Sequence, residues 1–392
     1  MKLLHVIATV NPRGGGPIEG VVRQSLAGPP GSTREIVSLD PVDAPFLADF
    51  PLKVYPLGSG RFDPDLISKR FKRFSYSPTL VPWLHEHAGD YDAVIVNGLW
   101  NYCAVGASRV LPGSGVPYFV FTHGMMDPWF RRQNLLKHLM KQASWLLFEG
   151  HLVANAKAVL FTAEEERLLA RGEFWGHAYR EEVVGYGALD VQGDADLQKA
   201  AFRRLLPQLA ERPFLLFLSR IHQKKGCDLL VRAFAQIAAE HPDIDLVMAG
   251  PDQSGWAPAL KAIARKLGAQ DRIHWPGMLT GDAKWGAFRA ARAFVLPSHQ
   301  ENFGIVVAEA LSCGTPTLIT DKVNIWREIL DCGAGLVAPD TQDGIDGLLQ
   351  KFLATDPAAY DEMRAAARTC FVKHFDIRNA TASLHDLIER LL

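Results

Sequence analysis

The sequence predicts an α/β protein of two open, doubly wound domains facing a cleft, and three observations carry that prediction. Short β-rich runs alternate with amphipathic stretches through the first half: LLHVIATV, REIVSL, DAVIVNG, PYFVFTHG, AVLFTA and EEVVGYG. Strands separated by helix-length segments pair in parallel, because a crossover helix returns the chain to the same end of the sheet. The rhythm restarts after GALDVQGDAD with PFLLFLSR, IDLVMAG, RIHWPG, ARAFVLPS, TPTLIT and GAGLVAP. The length of 392 residues exceeds one ordinary core and fits two domains. The predicted domains are residues 1–190 and 191–392, joined by a linker at 187–196. Residues 373–392 are helical in pattern with no strand after them, so this helix can cross back onto the first domain. Ligands of open parallel sheets bind beyond the carboxyl ends of the strands, so the chemistry is sought in the loops there.

The first strand, MKLLHVIATV, has one Lys and a brief apolar run, then Pro and glycines, and is read as a strand rather than a signal peptide. The following NPRGGGPIEG opens a helix, and Gly14, Gly15 and Gly16 let the backbone approach a phosphate. It is neither the GxGxxG dinucleotide pattern nor a P-loop, and a simple turn is the alternative. Next, RFDPDLISKRFKRFSY gathers Arg61, Lys69, Arg70, Lys72 and Arg73 with Phe74 and other aromatics, a composition suited to an anionic membrane surface or to a solvated helix face. FVFTHGMMDPW sets His123 at the end of a buried strand, pointing into the cleft, where an imidazole can hydrogen-bond a hydroxyl or serve only as a packed residue. FRRQNLLKHLMKQASWLLF adds further cations on a helical stretch with Leu, Met and Trp.

In the second half, FLSRIHQKKG places Arg220, Lys224 and Lys225 in a loop before a helix. Fixed cations there suit a diphosphate leaving group, and a solvated basic turn is the alternative. SHQENFGIVVAEALSCG then reads as turn and helix. Glu301 precedes the helix start, and Glu309 follows about two turns later at roughly 3.6 residues per turn. Carboxylates accept from hydroxyls, and the main-chain amides of Phe303, Gly304 and Ile305 donate, so the pair suits a polyhydroxyl ligand. The alternative is a carboxylate that complements the helix dipole and another that is solvated.

Composition removes several classes. With 42 Lys and Arg against 43 Asp and Glu, no global field favours nucleic acid. No stretch approaches the ~18–20 apolar residues of a spanning helix. Five widely spaced cysteines without a CxxC pair fit packing roles in a reducing cytoplasm. The acidic turns DPD and DAD lack His or Cys support for a metal, and neither HExxH nor GxSxG occurs.

These motifs together resemble the retaining glycosyltransferases of the GT-B fold, family 4, formerly called group 1. The resemblance covers nearly the whole chain and is strongest in FLSRIHQKKG, VMAGPD, RIHWPGML, FVLPSHQENFGIVVAEALSCGTPTLIT and GAGLVAP, which occur in the family's order. The first half, with NGLWNYCAVGASRV and VPYFVFTHGMMDPWFRRQNLLKHL, looks like a bacterial subgroup that builds surface polysaccharides. The resemblance implies two Rossmann-like domains, the first for the acceptor and the second for a nucleotide diphosphate sugar, GDP- or UDP-linked. It implies Arg220 and Lys225 on the diphosphate, Glu309 on the ribose, and Glu301 with Asn302 and the Phe303 to Ile305 main chain on the sugar. Met278, in the RIHWPGM loop, falls among the base contacts, His123 near the reacting centre, and Gly14 to Gly16 at the phosphates. No metal or other cofactor is expected, and the acceptor is a glycan, lipid-linked, on the cytoplasmic face of the inner membrane. VVGYGALD departs from the Pro-Asn-Gly turn of many relatives, and GGGPIEG varies the glycine loop. An epimerase-like or soluble-acceptor enzyme and a catalytically silent nucleotide-binding scaffold are the other readings.

Overall fold

The computed structural model describes residues 1–12, 15–63 and 75–392. Gly14 and the expected membrane-contacting residues Lys69, Arg70, Lys72, Arg73 and Phe74 lie outside the described residues. The chain divides into two compact units, one of residues 1–187 with 377–392 and one of residues 188–376, where the sequence reading placed the division at 190.

The first unit is built on seven strands: β1 (Lys2–Ile7), β2 (Thr33–Pro41), β3 (Lys53–Gly58), β4 (Ala93–Asn97), β5 (Tyr118–Phe121), β6 (Ala158–Phe161) and β7 (Glu181–Val183). All pairings are parallel, in the order β3-β2-β1-β4-β5-β6-β7. β4 is buried at all five positions, because helices cover both faces of a parallel sheet and its strands read as continuous apolar runs. Chain order reverses between β1 and β4, which makes the carboxyl ends of these two strands the switch point where ligands of such sheets bind.

The last helix, Ile377–Leu391, belongs to this unit. Its Leu384, Leu387 and Ile388 pack with Leu3, Ile95, Phe119 and Leu160. Each such side chain taken from water contributes about 1.5–3 kcal/mol. The helix is also tied by His385, whose Nε2 lies 3.1 Å from Arg34 Nη2 and 3.2 Å from Ser32 Oγ and accepts from both. It opens at Ile377 rather than near 373, because a turn of π-helix, Phe371–Phe375, buries Phe371 and Phe375 in the second unit first.

The second unit has six strands: β8 (Phe214–Leu218), β9 (Asp245–Ala249), β10 (Ile273–Gly277), β11 (Ala293–Leu296), β12 (Thr317–Thr320) and β13 (Gly335–Ala338). They too are all parallel, ordered β10-β9-β8-β11-β12-β13. The switch point lies between β8 and β11. The loop with Arg220 and Lys225 follows β8, and the loop with Glu301 follows β11, so one crevice receives both motifs.

Candidate active site

In the second unit, β8 ends at Leu218 and the chain turns through a short 3-10 segment, Gln223–Lys225, into Gly226. Gly226 has φ +60°, and a Cβ there would collide with the carbonyl oxygen of Pro297 just beyond β11. Glycine is therefore required for the two loops to approach. Three contacts knit them together. The His299 amide donates to the Lys224 carbonyl at 2.8 Å, Lys224 Nζ donates to Gln300 Oε1 at 2.9 Å, and the Lys225 ammonium pairs with the Glu301 carboxylate.

Glu301 is fixed through its main chain as well. Its N–H donates to the Lys322 carbonyl at 2.9 Å, and its carbonyl accepts from the Asn324 amide at 3.0 Å. Gly304, with φ +69°, starts the helix Ile305–Ser312, and a Cβ there would press on Glu301 Cγ at 3.2 Å. Phe303 is buried edge-on against Phe375, with centroids 5.7 Å apart. Asn302 Oδ1 accepts from Asn324 Nδ2 at 3.4 Å, and Ile305 is half-buried.

Glu309 is only 2% exposed, and its Oε1 accepts from Lys284 Nζ at 2.7 Å. Each acid of the pair thus has its own cation: Lys225 for Glu301 and Lys284 for Glu309. A buried carboxylate without such a partner would cost several kcal/mol, of order 3–5. Lys284, on the helix Gly281–Ala290, was not singled out in the sequence, since nothing in TGDAKWGAF distinguishes it from a solvated lysine. Burial, with Arg220 and Lys224 alongside, pushes the Lys225 ammonium down to about 7. Arg220 is exposed on the same loop, and Met278 is exposed just after β10.

In the first unit, His123 follows β5 in a left-handed conformation, φ +49°, that non-glycine residues rarely adopt. Its Nε2 lies 3.1 Å from Asn97 Oδ1 at the end of β4. Asn97 Nδ2 is directed at the Ile95 carbonyl (3.1 Å) and at His5 Nδ1 (3.2 Å), so its oxygen accepts and His123 donates. That fixes the proton on Nε2 and leaves Nδ1 as an acceptor. Burial lowers His123 to about 4, so the ring is neutral. The loop is braced by Glu166, which accepts from Thr122 Oγ1 and the Gly124 amide at 2.5 Å each and from the Thr162 amide and Oγ1 at 2.7 Å each. The run Glu164 to Glu166 starts the helix Glu164–Ala170, and its third glutamate is turned inward.

Gly15, with φ +91°, precedes the helix Gly16–Leu26. Tyr186 O–H donates to the Gly16 carbonyl at 2.7 Å, and its ring meets His123 edge-on at 6.2 Å. A Cβ at Gly20 would overlap the Tyr186 hydroxyl, so the last glycine of GGGPIEG is fixed by packing. Arg61 is exposed, and none of these contacts involves it.

Residues 22–187 match the family model of the glycosyl transferase 4-like domain, and residues 198–369 match that of glycosyl transferases group 1. Each unit carries a glycosyltransferase domain. A D-inositol 3-phosphate glycosyltransferase of Kribbella flavida is 31% identical over 233 residues, 57% of this chain and 54% of the relative. The chain spans about half the length of the curated relatives it matches. Among solved structures, sucrose-phosphate synthase from Thermosynechococcus elongatus superposes with a TM-score of 0.77 at 20% identity, over 100% of this chain and 98% of that one. Anabaena Alr3699/HepE in complex with UDP and glucose gives 0.73 at 16% identity, over 99% of each chain. These likenesses show the GT-B fold of paired Rossmann-like domains. The relatives do not single out the surface-polysaccharide subgroup of glycosyltransferases.

Proposed function

We propose that the chain is a retaining glycosyltransferase that moves a sugar from a GDP- or UDP-linked donor to a lipid-linked glycan in exopolysaccharide, O-antigen or capsule assembly. The observation that carries the reading is the joining of Lys225 and Glu301 at the switch point of the second sheet, with Glu309 buried on the helix that begins there. In this reading Arg220 and Lys225 take the charge that collects on the diphosphate as the glycosidic bond breaks. The Glu301 carboxylate accepts from sugar hydroxyls. Glu309, paired with Lys284, is the ribose partner in this reading. The main chain at Gly304 and Ile305 donates at the helix start. His123, neutral and with Nε2 committed to Asn97, accepts a hydrogen bond from a hydroxyl through Nδ1. Catalysis is by positioning and charge stabilisation, with attack on the face the leaving group departs from and no metal.

The UDP and glucose named with the Anabaena structure support a nucleotide-sugar donor. The curated relatives favour a second reading, transfer to a soluble phosphorylated polyol, since several are named D-inositol 3-phosphate glycosyltransferases. Incubation with UDP- and GDP-sugars, against either a bacterial lipid extract or D-inositol 3-phosphate, separates the two. A radiolabelled lipid product supports the first reading and a water-soluble product the second. Absence of product with every donor and both acceptors counts against transferase activity itself.

A further inference from the structure

The helix Leu135–Ser144 in the first unit is turned inside out. Its polar side chains His138, Lys141 and Gln142 face the protein. Lys141 Nζ donates to the Met125 carbonyl at 3.2 Å and sits 3.8 Å from the centre of the Trp100 ring. Gln142 clasps the backbone of Trp175, donating through Nε2 to its carbonyl at 3.1 Å and accepting from its amide through Oε1 at 3.2 Å. His138 lies 3.4 Å from Glu173, itself buried. The apolar side chains face outward: Leu135, Leu136, Leu139, Met140 and, in the next turn, Leu147 are each more than half exposed, as is Trp175 beside them. A water-facing helix has the opposite arrangement, and a contiguous outward apolar face of this kind marks a docking surface.

We propose that this face docks on an anionic lipid bilayer. Charge selects that occupant. Between Asp127 and Glu149 the sequence has Arg131, Arg132, Lys137 and Lys141 and no acid, and Arg132 and Lys137 are exposed at the edge of the apolar face. Cations rimming an apolar helix face with a flanking Trp are the composition of segments that lie in the headgroup layer of anionic membranes. A second copy is a poorer occupant, because a two-fold contact would set these cations against their own images. Among the described residues no helix is long and apolar enough to cross a membrane. The surface gives the lipid-linked acceptor of the proposed function a place, and on that point it rests on that reading.

The test is co-flotation of the full chain with vesicles of phosphatidylglycerol and phosphatidylethanolamine, with pure phosphatidylcholine vesicles as the control. The pair Leu136→Glu with Leu147→Glu and the pair Arg132→Glu with Lys137→Glu are run alongside. Thermal stabilisation by nucleotide diphosphates is recorded for each protein. The expected result is flotation with the anionic vesicles alone, reduced at least tenfold by either pair of substitutions and by about 0.5 M salt, with unchanged nucleotide response. Flotation that neither pair alters, or none by the unsubstituted chain, overturns the proposal. So does a dimer in solution that Leu136→Glu dissolves, which would give the face to a second copy. Failure of the transferase reading shows separately, as lipid binding without any nucleotide response.

Discussion

Lys225 and Glu301 stand far apart in sequence yet pair directly, each at the loop that leaves one of the two strands flanking the switch point of the second sheet. Lys225 is buried and Glu301 is not, so the ammonium depends on the carboxylate more than the reverse. Under the proposed function, a diphosphate entering the crevice would offer Lys225 a second anion and free Glu301 to accept from a sugar.

Replacing either member tests that division of labour. Lys225→Met is expected to lower kcat/KM by about 100- to 1000-fold, the range for loss of one fixed group that stabilises developing charge. Glu301→Gln is expected to weaken binding of the nucleotide sugar more than that of the free nucleotide. In a double-mutant cycle on kcat/KM the two losses should be non-additive, since the residues are in contact.

Lys225 is held near 7 by burial and by Arg220 and Lys224, against 10.5 for an ordinary lysine. The protonated form predominates below that value and binds a diphosphate better, so affinity for the nucleotide is expected to fall as pH rises from about 7 towards 9. Titration calorimetry on the unsubstituted chain and on Lys225→Arg checks this. The arginine stays charged throughout, and its profile should be flat over that range.

Acid should destabilise the first unit. His5 and His385 are buried and His123 partly so, and burial is the leading cause that lowers all three, to about 4 for His123 and His385. Arg34 adds to the effect on His5 and His385, and the chain's amino terminus lowers His385 further while Asp386 opposes it. The unfolded chain binds protons at these sites below about 6.5 while the folded unit does not, so stability present above 6.5 is lost as pH falls towards 4. Each histidine contributes up to about 1.4 kcal/mol per pH unit. Urea unfolding between pH 7 and 5 measures the slope, and His385→Gln should flatten it.

Gly226→Ala is expected to destabilise the second unit by about 2–4 kcal/mol, because the methyl meets the Pro297 carbonyl and φ is +60°. It should also weaken nucleotide binding by parting the loops that carry Lys225 and Glu301. A thermal melt like that of the unsubstituted chain would contradict the close approach of these loops.

Much of this was legible in the sequence, for definite reasons. The buried strands are continuous apolar runs, and FLLFL and AVIVN announce themselves as such. Lys225 directly precedes Gly226 and Glu301 lies three residues before Gly304, glycines whose backbone demands leave a mark in the sequence. Lys284, Asn97 and Glu166 left none, because their roles come from tertiary partners: Glu309, then His123 and His5, then the Thr122 to Gly124 loop. Helical period is equally silent about which face turns inward. FRRQNLLKHLMKQASWLLF reads as a helix with cations, and only Gln142 on Trp175 and Lys141 over Trp100 show that its apolar side is the outer one.

The most direct test of the central claim is thermal stabilisation by UDP, GDP and their sugar conjugates, compared between the unsubstituted chain and Glu301→Gln. The account predicts that one nucleotide stabilises selectively, that its sugar conjugate stabilises further, and that Glu301→Gln removes the further increment while keeping the first. No stabilisation by any nucleotide, or a conjugate increment that survives in Glu301→Gln, would contradict it.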